Sequence, residues 1–231
     1  MKNLLLILLT ALLAACGRPP VERAKEAPRP AAPDTRPLPP DTRPVIAAFG
    51  DSLTAGHGVE AGESYPDFLQ KDLDGRGLRY RVVNAGLSGD TTSGGLARLD
   101  GVVTLKPEVV ILELGANDAL RGIDPAITRR NLEAIIAKLK ERNIPILLTG
   151  MIAPPNMGST YGAAFNPIFP ELAAKHGLIF DPFFLEGVAA ERDLNLADGM
   201  HPNGRGVDVI VRRILPKVEE LIAQVRSRRG G

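Results

Sequence analysis

Cysteine is almost absent from this chain: Cys16 is the one example among 231 residues. An intramolecular disulfide is therefore excluded, and so are a cysteine nucleophile and a Cys-based zinc site in the part of the chain that follows it. Histidine is also scarce, and His57, His176 and His201 lie too far apart in sequence to form an HExxH-like pair. We therefore predict no metal site built from the protein, and no cofactor.

A strong excess of one charge is missing as well. Lysine and arginine total 28 against 27 aspartate and glutamate residues, which gives a formal net charge of +1. The arginines are scattered rather than set in a basic stripe with interleaved aromatic residues, so we predict no binding of nucleic acid. Hydrophobic residues at 44% and charged residues at 24% indicate a globular domain with a core, which we expect to be a monomer.

No hydrophobic run is long enough to span a membrane. The longest candidate, Leu4 to Ala15, follows Lys2 and falls short of the roughly 20 apolar residues that a spanning helix needs. Residues 1–15 therefore read as a secretory signal peptide. The sequence Leu13-Ala14-Ala15-Cys16 resembles the lipobox of bacterial lipoproteins, in which the cysteine carries lipid; the alternative is a plain signal peptide with an incidental cysteine. Glycine rather than aspartate follows the cysteine, at Gly17, and this resembles the pattern of lipoproteins that are sorted to the outer membrane. We therefore expect a lipid anchor in the outer membrane of a bacterial cell envelope, facing the periplasm.

Proline is concentrated in the segment that follows. Nine prolines lie between Gly17 and Pro44, mixed with charged residues and almost no large apolar ones. Such a segment favours extended conformations at ~3.1 Å per residue and buries too little apolar surface to fold alone. We therefore interpret residues 16–44 as the lipidated cysteine and a spacer, and residues 45–231 as the folded domain.

Strand-like runs alternate with helical patterns through the domain. Helices are expected after caps at Ser64, at Thr91 or Thr92, and at Asp124, and Pro216 is expected to kink or divide a C-terminal helix. The predicted strands are Val45–Phe49, Arg79–Val83, Val109–Leu114, Ile146–Thr149 and Leu178–Phe180. This alternation predicts an α/β fold in which helices cover both faces of a parallel sheet and ligands bind beyond the carboxyl ends of the strands.

Polar motifs follow three of these strands. Ser52 lies in the turn Gly50-Asp51-Ser52, where a serine at a strand-to-helix junction exposes its hydroxyl, although alone this is more often only a turn. Gly86 leaves its N–H uncovered, as an oxyanion donor requires, but a turn glycine explains it equally well. Asn117 offers an amide NH₂ to the same crevice, and for Asp118 we favour a structural role as a helix cap.

The final motif supplies an acid and a base together. Asp198 precedes His201 by three residues in a loop that also holds glycine and proline, so one short turn can deliver both side chains. His201 is therefore the expected base for Ser52. His57, in the turn just after Ser52, is the alternative, and His176 is expected to be a solvated histidine at a helix end.

Taken together, these blocks resemble the SGNH, or GDSL, hydrolases over Val45 to about Leu221. The finer resemblance is to the branch of the bacterial periplasmic thioesterase/lysophospholipase and the arylesterases. It rests on segments such as Gly95-Leu96-Ala97-Arg98-Leu99 and Glu113-Leu114-Gly115-Ala116-Asn117-Asp118. The resemblance implies a three-layer, flavodoxin-like α/β/α fold with a five-stranded parallel sheet. It also implies catalytic residues Ser52, Asp198 and His201, and an oxyanion hole formed by Ser52, Gly86 and Asn117.

The implied activity is hydrolysis of small acyl esters through an acyl-serine. Aryl esters and short to medium acyl esters are expected substrates, with thioesters and lysophospholipids as further possibilities. The loop from Ala153 to Gly162 is expected to form a substrate-binding edge, with Met157 and Tyr161 against the acyl or aryl group. A carbohydrate O-acetyl esterase acting on envelope polysaccharide is the alternative, and a tethered binding module without catalysis is a third hypothesis.

Overall fold

The computed structural model describes residues 41–229. The predicted signal peptide, the lipid site at Cys16 and nearly all of the predicted spacer lie outside these residues. Within the described part of the chain, no helix is both long and apolar enough to cross a membrane.

Five parallel strands form a single sheet. The spatial order is β2-β1-β3-β4-β5, so the expected flavodoxin-like arrangement is confirmed. The strands are β1 (Val45–Gly50), β2 (Arg81–Gly86), β3 (Val109–Glu113), β4 (Ile146–Thr149) and β5 (Ile179–Asp181). β1, β3 and β4 are buried along their whole length, as expected for central strands covered on both faces.

Eight α-helices connect and cover the strands in the described residues. They are α1 (Ser52–Ala55), α2 (Tyr65–Gly75), α3 (Thr92–Thr104), α4 (Ala116–Leu120), α5 (Pro125–Glu141), α6 (Ser159–Phe165), α7 (Ile168–His176) and α8 (Gly204–Arg229). Helix α2 packs against α8, whereas α5 packs against both α3 and α7. Right-handed crossovers in a sheet of this strand order place these two groups on opposite faces. The result is the predicted three-layer architecture.

Local signals set several helix starts as predicted. Ser64 forms a capping box with Asp67 at the start of α2. Thr91, rather than Thr92, caps α3 by accepting the N–H of Gly94. Asp124 caps α5, in which Pro125 takes the first position. The apolar stripe of α5 is buried as its spacing predicts: Leu132, Ile135, Ile136 and Leu139.

Several element boundaries differ from the prediction, among them the end of β1 at Gly50 and the end of β3 at Glu113. The second strand begins at Arg81, because it pairs there with Val45, and it extends to Gly86 opposite Gly50. The fifth strand is shifted by one residue and ends at Asp181. Pro216 does not divide the C-terminal helix, since α8 continues through it to Arg229. Apolar residues on either side of this proline, including Leu215 and Val218, are buried in the core, and this packing offsets the one backbone hydrogen bond that proline removes.

Candidate active site

Ser52 begins α1 directly after β1, at the carboxyl edge of the sheet. The side chain of Asp51 caps this short helix by accepting the N–H of Leu53 at 3.0 Å. Gly56 ends it in the left-handed conformation, with φ of 80°, which glycine adopts without steric cost. The serine is thus held in a tight turn at the edge where parallel sheets bind ligands.

His201 reaches Ser52 from the far end of the chain. Its Nε2 lies 2.9 Å from the hydroxyl oxygen of Ser52, and its Nδ1 lies 2.6 Å from Oδ2 of Asp198. The three side chains therefore form a continuous chain of hydrogen bonds from carboxylate to imidazole to hydroxyl. This is the geometry in which an imidazole can take a proton from serine.

A local turn builds the acid–histidine pair. Oδ1 of Asp198 accepts the backbone N–H groups of Met200 at 2.9 Å and His201 at 3.0 Å. Those two bonds, together with the bond to the His201 side chain, lower the pKa of Asp198 to about 2. Gly199 takes a φ of 70° in the middle of this turn. The carboxylate is therefore ionised at neutral pH and is aimed at Nδ1 of the histidine.

The other two histidines have different positions. The His57 ring lies close to that of His201, with 4.6 Å between centroids, but His201 is the histidine hydrogen-bonded to Ser52. His176 ends α7 just before β5, at the opposite edge of the sheet. It is half-buried rather than solvated, with its Nε2 3.7 Å from a carboxylate oxygen of Glu133.

The structure brings Gly86 and Asn117 to the Ser52 turn, and each already has a protein acceptor. The Gly86 N–H donates to Oδ1 of Asn84 at 2.9 Å, and Nδ2 of Asn117 donates to Oδ2 of Asp51 at 3.1 Å. A Cβ at position 86 would lie 2.3 Å from the backbone nitrogen of Ala55. Glycine is therefore required here by the close approach of α1, whatever the role of its N–H.

Asp118 has a structural role, but it does not cap its own helix. Gly115 occupies the N-cap position of α4. The buried carboxylate of Asp118 instead accepts the N–H of Thr92 at 2.8 Å and the hydroxyl of Thr128 at 3.0 Å. It thereby fixes the start of α3, which packs against the neighbouring α5.

Arg98 was not predicted as a site residue, yet it fastens two loops of the site. Its guanidinium donates to the carbonyl oxygens of Gly50 and Ala85, both at 2.8 Å, and to Oδ2 of Asp90 at 2.6 Å. Gly50 precedes the Ser52 turn and Ala85 precedes Gly86. The sequence signal that could have pointed to this part of α3 is the pair Gly94 and Gly95, one turn before Arg98. Adjacent glycines in a helix indicate close packing, and a Cβ at Gly95 would lie 2.4 Å from the side chain of Leu114.

Two buried carboxyl groups lie beneath the nucleophile turn. Oε2 of Glu113 accepts the hydroxyl of Thr54 at 2.7 Å and the backbone N–H of Asp51 at 3.3 Å. Burial raises the pKa of Asp51 to about 6. The pKa of Glu113 is raised well above its ordinary value by burial and by the charge of Asp51. No distinct sequence signal pointed to this pairing, because Asp51 and Glu113 lie 62 residues apart in the chain.

An apolar pocket of about 540 Å³ opens beside Ser52 and His201. Part of the predicted substrate-binding loop contributes to it through Ala153, Pro154 and Pro155. The expectation for Met157 and Tyr161 is wrong, because neither lines this pocket. The Tyr161 hydroxyl donates to the carbonyl of Ile123 at 2.8 Å, and its ring stacks on Phe165. Other apolar walls come from Leu120, Met151, Ile152, Phe183, Leu185 and Met200.

Comparisons with known proteins agree with this geometry. Residues 48–209 match the GDSL-like lipase/acylhydrolase family. Esterase TesA of Pseudomonas aeruginosa is 39% identical over 178 residues, covering 77% of this chain and 89% of TesA. The thioesterase 1/protease 1/lysophospholipase L1 of Escherichia coli K12 is 38% identical over 159 residues, or 68% and 75% of the two chains. The crystal structure of AlinE4, an SGNH-hydrolase family esterase, is 49% identical with a TM-score of 0.66, covering 77% of this chain and 96% of AlinE4.

Proposed function

Since this chain belongs to the GDSL-like lipase/acylhydrolase family and is a carboxylic ester hydrolase, we propose that Ser52 is its nucleophile. His201 is the general base, and Asp198 orients the imidazole and stabilises its charged form. The observation that carries this assignment is the hydrogen-bond chain Asp198–His201–Ser52, at 2.6 Å and 2.9 Å.

The reaction follows from this chain of hydrogen bonds. Nε2 of His201 takes the hydroxyl proton as the Ser52 oxygen attacks the ester carbonyl, and the same proton then goes to the leaving alcohol. A water molecule, activated by His201 in turn, releases the acid from the acyl-serine. Asp198 stays ionised throughout, because its pKa is lowered to about 2.

The negative oxygen of the tetrahedral intermediate is held by the N–H groups of Ser52 and Gly86 and by the Asn117 amide. Two of these donors have acceptors in the resting structure, namely Asn84 for Gly86 and Asp51 for Asn117. A developing oxyanion carries more charge than an amide oxygen, so it competes well for the Gly86 N–H. Donors of this kind often align fully only when substrate is bound, and each is typically worth ~10²–10³ in kcat.

The apolar lining of the pocket favours an acyl or aryl group as the part of the substrate that binds there. Its volume of about 540 Å³ lies within the range of small-molecule sites, and its walls are mainly aliphatic and aromatic. An acetyl group on a polysaccharide would leave most of this apolar surface uncovered. We therefore place short to medium acyl esters, aryl esters, thioesters and lysophospholipids ahead of acetylated glycans.

A substrate panel tests both parts of the proposal. Wild type and Ser52→Ala would be assayed on p-nitrophenyl acetate, longer p-nitrophenyl esters, acyl-CoA, a lysophospholipid and an acetylated glycan. We expect kcat/KM to rise from acetyl to medium acyl groups, and Ser52→Ala to be inactive and unlabelled by a fluorophosphonate. A preference for the glycan would support the O-acetyl esterase alternative, and a wild type that resists labelling would support the binding module.

The same proposal includes a lipid anchor at Cys16 that holds the enzyme at the periplasmic face of the outer membrane. Its support is the lipobox-like sequence before Cys16 and the proline-rich segment that follows. Covalent acyl chains bind membranes by roughly 0.8 kcal/mol per buried CH₂, so two or more chains hold a protein firmly. In cells, wild type should sediment with outer membranes and incorporate labelled palmitate, and Cys16→Ser should do neither. A Cys16→Ser protein that still sediments with membranes would contradict the anchor.

A further inference from the structure

We propose that His57, Asp198 and His201 bind a divalent transition-metal ion such as Zn²⁺, and that the bound ion inhibits the esterase. One ligand atom from each of these side chains lies within 4.8 Å of the other two. The ion would be an inhibitor and not a cofactor, because it would occupy groups that the proposed mechanism needs free. The inhibition therefore rests on the proposed function, whereas the binding does not.

The three ligands need only a small adjustment to share one ion. Zinc binds imidazole nitrogen at about 2.0–2.1 Å and carboxylate oxygen at about 2.0–2.2 Å, so ligand atoms around one ion lie roughly 3–3.5 Å apart. His57 can supply the adjustment because it is exposed. Within residues 41–229 its ring contacts that of His201, but no hydrogen bond or ion pair holds it. Rotation of His57 can therefore bring its ring nitrogen closer, while Asp198 and Nδ1 of His201, now 2.6 Å apart, separate slightly to admit the ion.

The donor set favours particular ions. Two imidazoles and one carboxylate suit Zn²⁺, Cu²⁺ and Ni²⁺, whereas Mg²⁺ and Ca²⁺ prefer ligand sets made of oxygen. Three protein ligands leave one position of a tetrahedral ion open to water. Asp198 and His57 are both exposed, so an ion can reach the site from solvent.

A bound ion prevents acyl transfer whichever nitrogen of His201 it takes. At Nε2 it occupies the lone pair that faces the Ser52 hydroxyl, 2.9 Å away. At Nδ1 it displaces the hydrogen bond to Asp198 and places positive charge next to an imidazole that must accept a proton. Asp198 lies on the Nδ1 side of the ring, so it shares the ion in the second arrangement, where it changes from a partner of the imidazole to a ligand of the ion.

The first test is zinc inhibition of p-nitrophenyl acetate hydrolysis by the full-length protein in a buffer that does not chelate metals. Each variant's rate is expressed relative to its own rate without zinc. We expect reversible inhibition of the wild type that EDTA relieves. His57→Ala and His57→Gln should need on the order of 10- to 100-fold more zinc, since a ligand is lost. His176→Ala is the matched control, because this histidine lies at the opposite edge of the sheet, and it should behave as wild type.

The second test measures zinc binding without turnover. Ser52→Ala, titrated by calorimetry with ZnCl₂, should bind one ion per chain at this site, and the double variant Ser52→Ala/His57→Ala should bind it on the order of 10- to 100-fold more weakly. Equal zinc sensitivity of wild type and His57→Ala, or equal binding by the two Ser52 variants, would overturn the proposal. An active Ser52→Ala enzyme would instead refute the proposed function, so the two failures are distinguishable.

Discussion

Replacing Arg98 by lysine is a direct test of how the nucleophile loop and the Gly86 loop are held together. The guanidinium bonds to two backbone carbonyls, one before each loop, and to the nearly buried carboxylate of Asp90. It also stacks over the ring of Phe49 at 4.7 Å. A lysine ammonium keeps the positive charge beside Asp90, but it is a compact point charge that cannot span three separate acceptors in one plane.

The expected magnitudes follow from these contacts. Arg98→Lys gives up hydrogen bonds to the carbonyls of Gly50 and Ala85, which should cost about 1–3 kcal/mol of unfolding free energy. Arg98→Met also leaves Asp90 without its partner. Breaking a buried pair costs about 3–5 kcal/mol, and we discount this to about 2–4 kcal/mol because the Arg98 side chain is 27% exposed. A shift of the loops by a fraction of an ångström should lower kcat roughly 10- to 100-fold in Arg98→Lys.

The assay combines urea unfolding with steady-state kinetics at a temperature where every variant is folded. KM should change little, because Arg98 lies behind the loops and away from the acyl pocket. The matched control is Arg129→Lys, an arginine in an exposed pair with Glu171, for which we expect less than about 1 kcal/mol and an unchanged kcat. A folded Arg98→Lys enzyme with the kcat of wild type would refute the idea that this guanidinium positions the site.

Three further predictions concern the polar groups around Ser52. Asn117→Ala should lower kcat by ~10²–10³ with little change in KM, and an unchanged kcat would remove Asn117 from the oxyanion hole. Because the folded pKa of Asp198 is lowered to about 2, its contribution to stability is complete above about pH 4 and is lost as the pH falls towards 2. The urea midpoint of wild type should therefore fall between pH 4 and pH 2 by more than that of Asp198→Asn, and equal losses in the two proteins would contradict the lowered pKa. For Asp51 the pH dependence of stability has the opposite sign. Burial raises its pKa to about 6, so the folded chain holds the proton of Asp51 more tightly than the unfolded chain does. Asp51 should therefore add about 1 kcal/mol of stability as the pH falls from about 7.5 to about 5. Urea unfolding at both pH values should show a larger gain in wild type than in Asp51→Asn, in which Glu113, whose pKa is also raised by burial, still contributes; equal gains in the two proteins would count against it.

Much of the fold could be predicted because its signals are local. The helix starts at Ser64 and Asp124 depend on side chains that bond to backbone groups two or three residues away. The central strands are short apolar runs that remain buried on both faces. Strand boundaries are harder to predict where pairing with another strand decides them. β2 extends to Gly86 because Gly50 of β1 lies opposite, and no pattern within residues 79–86 reveals that partner.

The meeting of Ser52 with the Asp198–His201 turn also followed from the sequence, since His201 was expected to be the base for Ser52. The contacts that support the active site could not be predicted from the sequence, because they join residues that are far apart in the chain and carry no pattern of their own. Asn84 takes the N–H of Gly86, and Arg98 reaches back to the carbonyl of Gly50. Tyr161 resembled a substrate contact by its apolar ring, but its hydroxyl donates to the backbone carbonyl of Ile123, between α4 and α5.

The two halves of the active site are held in different ways, and this difference has consequences for function. The Ser52 side is held by buried and half-buried groups: Glu113 bonds to the Asp51 backbone, Asp51 bonds to Asn117, and Arg98 fastens the strand ends. The base is held instead by an exposed turn whose main bonds are those of Asp198 to its own neighbours. A rigid nucleophile and oxyanion hole keep the transition-state geometry fixed. The exposed turn that carries the base gives water access for deacylation, and the same exposure leaves His57 and Asp198 open to a metal ion from solvent.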